Sequence, residues 1–154
     1  MPTFRLVLTV TVHAPIERVY ALLRTVENYP RLFRYMHDLR VLERQDDTVL
    51  AEVNEDMFGL RVFWVTTRFT FDPPHKVTME QVRGPFERAV GWFTLTPQPD
   101  STTRLEHGVE IVVGGLLGML GKKVLESGLA KRRMVEEMQA IKRAAEAEME
   151  ASPR

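Results

Sequence analysis

His13, His37, His75 and His107 are the side chains of this chain best suited to proton transfer or metal ligation near neutral pH. They are far apart on different expected elements and share no ligand spacing with one another or with carboxylates, so no metal site is expected. The chain has 0 cysteines, which removes disulfides, thiolate metal sites and cysteine nucleophiles together and fits a reducing cytoplasm. No Ser/His/Asp arrangement, phosphate-cradling loop or redox-cofactor fingerprint is present. No cofactor is expected, and no residue is assigned a catalytic role.

His107 alone sits on an apolar strand face, with Leu105, Val109, Ile111 and Val113. Such a histidine is either a core or rim residue satisfied by a neighbour or the polar anchor of a pocket. Lys131 offers a similar choice. Its ammonium either snorkels to solvent past an apolar stem or meets a carboxylate, phosphate or quinone oxygen at a cavity mouth. Glu43 and Glu55 share an expected strand face with Val41, Val53 and Met57, but neither has a visible partner that would make it a general base. Lys131, Arg132 and Arg133 form a short basic cluster that is either a solvated face or a docking point for ribosomal RNA; no stacking aromatics are interleaved with it.

The elements that must position these residues follow from hydrophobic period and turn chemistry. Thr3 to His13 alternate, with Phe4, Leu6, Leu8, Val10 and Val12 on one face, as in a half-buried strand. Pro15 and Glu17 suit the start of a helix whose apolar side is Val19, Tyr20, Leu22 and Leu23, and Asn28 is placed to cap a second short helix over Tyr29 to Met36. Six further strands are expected near 39–45, 48–57, 60–72, 76–83, 87–96 and 103–113. The separators QDD, FG, DPPH, RGPF and PQPDST make short connections, which favour antiparallel neighbours.

The last strand runs into GGLLGMLGKK, Gly114 to Lys123, and then into a long amphipathic helix. Leu117, Leu120, Val124, Met134, Val135, Met138, Ile141, Ala145 and Met149 fall in one stripe, interrupted by Ser127, Gly128 and Lys131. One helix cannot cover the apolar face of so many strands, and small or polar groups arrive where it should pack. A cavity is therefore expected beneath it. The glycine-rich run, with Leu116, Leu117, Met119 and Leu120, is either an ordinary strand-to-helix turn or a gate that closes the cavity or touches a membrane surface.

Two motifs carry a resemblance. VENYPRLFRYM, with Tyr29, Pro30 and Phe33, and RGPFERAVGWFTLTP, with Gly84, Pro85, Phe86, Gly91, Phe93, Leu95 and Pro97, resemble the START-like helix-grip superfamily of polyketide cyclases and lipid-binding domains. The branch most resembled is that of the coenzyme Q-binding proteins and ribosome-association toxins. The pattern Pro-Trp-Cys after the first motif is here Arg34, Tyr35 and Met36; Phe93 stands for the tryptophan of the second, with Trp92 one residue out of phase and facing outward.

The resemblance implies an α+β fold in which a seven-stranded antiparallel sheet wraps around the long C-terminal helix, with two short helices between the first two strands. One domain is expected over residues 1–150, followed by a frayed tail at 151–154. The expected ligand-facing residues are Phe33, Met57, Phe63, Val65, Met79, Phe86, Phe93, His107, Val109 and Ile111, with Leu120, Val124, Lys131, Met134 and Met138 from the helix. The implied function is binding or transport of a prenylquinone, lipid or polyketide-like molecule; the alternatives are ribosome association and polyketide cyclase, aromatase or dehydratase activity with His107 as the polar group.

Composition is compatible with all three. Lys+Arg and Asp+Glu balance at 21 each, for a formal net charge of +0, so no global field draws the chain to DNA or an anionic membrane. The N-terminus reads as a strand and not as a signal peptide, and no apolar run reaches membrane length.

Overall fold

The computed structural model describes residues 3–56, 62–114 and 118–151; at positions 62, 119, 120 and 151 it describes the backbone alone. Strand β1 (Thr3–Val12) leads to helix α1 (Ile16–Arg24), a short 3-10 turn (Val26–Asn28) and the single turn α2 (Tyr29–Leu32). A meander follows: β2 (Met36–Arg44), β3 (Thr48–Asp56), β4 (Val62–Asp72), β5 (Lys76–Arg83), β6 (Arg88–Pro97) and β7 (Thr103–Val112). Helix α3 (Gly118–Val124), a π turn (Leu125–Leu129) and helix α4 (Ala130–Ala151) complete the described chain.

The strands form one antiparallel sheet in the order β1-β7-β6-β5-β4-β3-β2. The first two strands therefore lie at opposite edges, and the helices between them cross the sheet from one side to the other. Pro15, extended at φ −67 and ψ 156, opens α1, and its carbonyl accepts from Arg18 N–H at 3.0 Å. Glu17 in the first turn and Arg24 in the last complement the helix dipole, while Ile16, Val19, Tyr20 and Leu23 are buried. The Tyr29 hydroxyl donates to the Leu23 carbonyl at 2.6 Å, which docks α2 back on α1.

The second short helix is shorter than its sequence suggests. Phe33 is extended at φ −115 and ψ 114, and Met36 already pairs with Glu55 in the sheet, so α2 stops at Leu32. Asn28 makes no side-chain cap. Strand β2 carries register shifts between Met36 and Asp38 and between Val41 and Glu43. The second shift breaks the period-two face expected there, and Glu43 is exposed, away from Glu55.

The C-terminal helix also departs from a uniform 100° pattern. The π turn contains Gly128 at φ 99, a conformation that costs glycine little, and the chain resumes as α4 at Ala130. Ser127, Gly128 and Lys131 are exposed. Ala130, Arg133, Met134, Glu137, Met138, Ile141 and Ala145 form the buried stripe instead, and Val135 and Met149 face solvent at 41% and 42% exposure.

The apolar interior falls into two clusters. The larger joins α1, α2 and the middle of the sheet to Met138, Ile141 and Ala145 of α4. The smaller holds Ile111, Val113, Leu125 and Ala130, with Phe4, Phe86, Ala89 and Val109 packed against it. Between them is a gap.

Candidate functional site

The gap is a cavity of about 130 Å³ between the concave face of β3 to β7 and α4, open to solvent on one side. Val53, Val65, Phe69, Met79, Phe86, Val109, Ile111 and Met134 give it apolar walls. One wall is charged: Glu55, His107, Arg133 and Glu137 line the same space. His107 is 5% exposed, Arg133 7% and Glu137 6%, so all three have left water and must satisfy one another.

They do so through Arg133. Its Nη2 donates to Glu55 Oε1 at 2.6 Å, its Nη1 to the Asp56 carbonyl at 2.9 Å, and its Nε lies 3.5 Å from Glu137 Oε1. The ring of Tyr35 stacks beneath the guanidinium, 5.6 Å from centroid to Cζ. Burial alone would lower the Arg133 pKa, but the carboxylates of Glu137 and Glu55 outweigh it and hold the pKa above its usual value. For Glu137, burial alone would raise the carboxyl pKa; the Arg133 charge and the hydrogen bond from His107 overcome it and hold the group below the usual carboxylate range.

His107 connects this wall to an aromatic column. Its Nδ1 lies 3.1 Å from the Trp92 carbonyl, which can only accept, so Nδ1 carries a hydrogen and Nε2 is the nitrogen directed at Glu137 Oε1, 3.4 Å away. Phe93 stacks on the imidazole at 4.3 Å, Phe33 stacks on Phe93 at 6.2 Å, and Tyr29 meets Phe33 edge-on at 5.1 Å. The aromatics of the two sequence motifs are thus the support of His107. Gln81 fixes the second motif from the other side, donating from Nε2 to the Phe86 carbonyl at 2.6 Å.

Of the residues expected from sequence, Val65, Met79, Phe86, His107, Val109, Ile111 and Met134 come together at the cavity. Phe33, Phe93 and Met138 are buried in the core behind it and do not line it. Phe63 and Val124 are half-buried and lie outside the lining. Lys131 is a correction: it is exposed, because Ala130 takes the inward position at the edge of the α4 stripe. Met57 lies outside the described residues, as does the segment 115–117 of the expected gate, and the Leu120 side chain is not described.

Two residues of the wall are not among the expected ligand-facing residues. Glu137 was not singled out, and Arg133 was grouped with a basic surface cluster, of which only Lys131 and Arg132 are exposed. The usable signal is their i, i+4 spacing inside the stripe Ala130, Met134, Met138 and Ile141: a charged pair set among apolar positions. Among the described residues no group of three or more His, Asp or Glu side chains could hold a metal ion. No described helix is long and apolar enough to cross a membrane.

Seven antiparallel strands gripping a long C-terminal helix define a START-like, helix-grip protein. The family model for polyketide cyclase/dehydrase and lipid transport matches residues 12–138, and the chain belongs to that family. The ribosome association toxin RatA of Escherichia coli strain K12 is 28% identical over 94 residues, 61% of this chain. The match spans only 59% of that relative's length.

Among solved structures, the Zhui aromatase/cyclase from Streptomyces sp. R1128 has a TM-score of 0.89 at 20% identity, over 97% of this chain and 98% of that one. A START superfamily protein from Mycobacterium smegmatis has a TM-score of 0.72 at 18% identity, over 93% and 97%. At those identities the likeness is one of fold.

Proposed function

We propose that the protein binds an uncharged, largely apolar small molecule of the prenylquinone or polyketide-like kind and orients its oxygen against Arg133, Glu137 and His107. The observation that carries this is one charged wall in an otherwise apolar cavity. Such pockets take affinity from apolar contact and orientation from a few convergent polar groups. The volume of about 130 Å³ is slightly below the roughly 150 Å³ of an engineered cavity known to hold benzene, so it seats one ring or a short chain segment, and the rest of a larger ligand extends through the open side.

Charge bookkeeping within the wall supports an uncharged ligand. Glu55 and Glu137 bring two negative charges and Arg133 one positive, a sum of −1 that becomes 0 if His107 is an imidazolium. A carboxylate or phosphate would find no uncompensated cation, and its desolvation would go unanswered. A ketone or hydroxyl meets donors and acceptors at no such cost. Membership of a family described as polyketide cyclase/dehydrase and lipid transport supports the same class of ligand.

Binding and presentation is the function favoured over catalysis, because the wall offers no activated nucleophile; His107 is the residue through which a cyclase or dehydratase activity would act. Organic extraction of the purified protein followed by mass spectrometry tests the proposal. A stoichiometric neutral hydrophobic molecule is expected, and its absence together with no binding to a panel of quinones and polyketide-like phenols overturns it. Similarity to the ribosome association toxins supports a second function, contact with ribosomal subunits, tested by cosedimentation at low salt.

A further inference from the structure

A second cavity, of about 290 Å³, opens behind the charged wall between α2, the α2–β2 connection and α4. Its lining is polar where that of the first is apolar: Arg34, Tyr35, Glu136, Glu137 and Arg143 face it, with Leu32, Phe33 and Ala140. Its volume is room for on the order of ten waters. Glu137 lines both cavities, and its Oε1 is the atom that faces His107 Nε2 at 3.4 Å.

The geometry points to this second cavity as a proton port, with Glu137 relaying protons between solvent and His107. The other approaches to the imidazole are blocked or mostly apolar. Nδ1 is held by the Trp92 carbonyl, Phe93 covers one ring face, and the first cavity is apolar except for the wall itself, Thr67 and Gln81. A ligand there would remove what water access it gives. Through the port, a hydronium ion from solvent gives its proton to the Glu137 carboxylate and departs as water; the proton then passes from the carboxyl oxygen to the unprotonated Nε2, restoring the carboxylate and leaving His107 as an imidazolium. The reverse sequence discharges it.

Arg133 on α4 holds Glu137 in place from the cavity side. At the port, Arg34 pairs with Glu136 at 3.4 Å and Arg143 adds a second cation, so the rim is a charged surface that water wets and an apolar ligand does not enter. The pair would thus stay in proton equilibrium with solvent while the first cavity is occupied. The inference holds whichever molecule that cavity takes.

The test uses the whole protein without ligand, labelled with ¹⁵N-histidine, and reads the solvent-exchange rate of the His107 imidazole hydrogens by NMR. Ala140→Phe fills the port, and Val109→Phe fills the first cavity. Ala140→Phe is expected to slow exchange about tenfold, with Val109→Phe changing it less than about twofold. Leu32→Phe blocks the port from the opposite wall and is expected to act like Ala140→Phe if that variant folds poorly. Slowing by Val109→Phe equal to or greater than that by the port variants, or no slowing by either port variant, overturns the proposal. Because no ligand is present, that outcome is distinct from a failure of small-molecule binding.

Discussion

Arg133 Nη2 and Glu55 Oε1 meet at 2.6 Å in the interior, although the two residues are 78 positions apart. The contact fastens α4 to β3 at one wall of the cavity, and with Glu137 it makes a carboxylate–guanidinium–carboxylate set. Removing only the cation leaves one buried and one largely buried carboxylate uncompensated. Arg133→Met is therefore expected to destabilise the fold by about 3–5 kcal/mol. Adding Glu55→Gln and Glu137→Gln to that variant removes the stranded charges and should recover part of the loss. Urea denaturation of the single and triple variants measures both effects; a triple variant no more stable than the single one contradicts the assignment.

Gly108 faces Trp92 across the β6–β7 pair, on the sheet surface opposite the cavity. A Cβ at this position would overlap the indole ring, so even alanine must displace it. The displaced ring loses the hydrogen bond from Nε1 to Glu106 Oε2, now 3.1 Å. Gly108→Ala is expected to cost about 1–3 kcal/mol and to shift the tryptophan emission. Unchanged emission and stability would mean the indole has room that the packing denies.

Acid should weaken the attachment of α4 to β1. Glu146 accepts from the His13 backbone N–H at 2.9 Å and from Lys142 at 2.6 Å, and Lys142 also donates to the Thr11 carbonyl at 2.9 Å. Slight burial works to raise the Glu146 pKa, but these donors outweigh it and hold it at about 2 against an ordinary 4.5. A carboxyl depressed in the folded state adds stability above its unfolded value, lost as pH falls from 4.5 toward 2. Glu137, also depressed, has the same sign. Glu146→Gln should lose about 1 kcal/mol at neutral pH and show a flatter pH dependence in that window, by thermal unfolding as a function of pH.

The fold was legible because its signals are local. Alternation in β1 and β7 and the turn residues between strands placed the meander to within a few residues, and short connections implied the antiparallel order that the sheet has. Phe93 was expected inward and Trp92 outward; Phe93 is 1% exposed, and Trp92 bonds to Glu106 on the other face.

The site was half legible. His107 stood out because a lone polar residue on an apolar face breaks a pattern. Arg133 and Glu137 did not, since a buried ion pair has the hydropathy of a surface one, and Glu55 lacked a partner until the fold brought one from 78 residues away. The π turn at Leu125–Leu129 defeated the extrapolation of one helical stripe through Lys131. The strand period placed Val65, Met79, Val109 and Ile111 facing the cavity, whereas its helix side and its polar wall depended on the π turn and on tertiary contacts.

Titration of the protein at pH 7.5 with 2-naphthol and, separately, with 2-naphthoate, followed by ligand fluorescence, probes the cavity directly. The two differ chiefly in charge. Binding of 2-naphthol is expected, weakened about tenfold or more by Val109→Phe, with 2-naphthoate at least about tenfold weaker than 2-naphthol because the wall has no free cation to meet it. Equal or tighter binding of 2-naphthoate, or binding of 2-naphthol that ignores Val109→Phe, would contradict an uncharged ligand held between the sheet and α4.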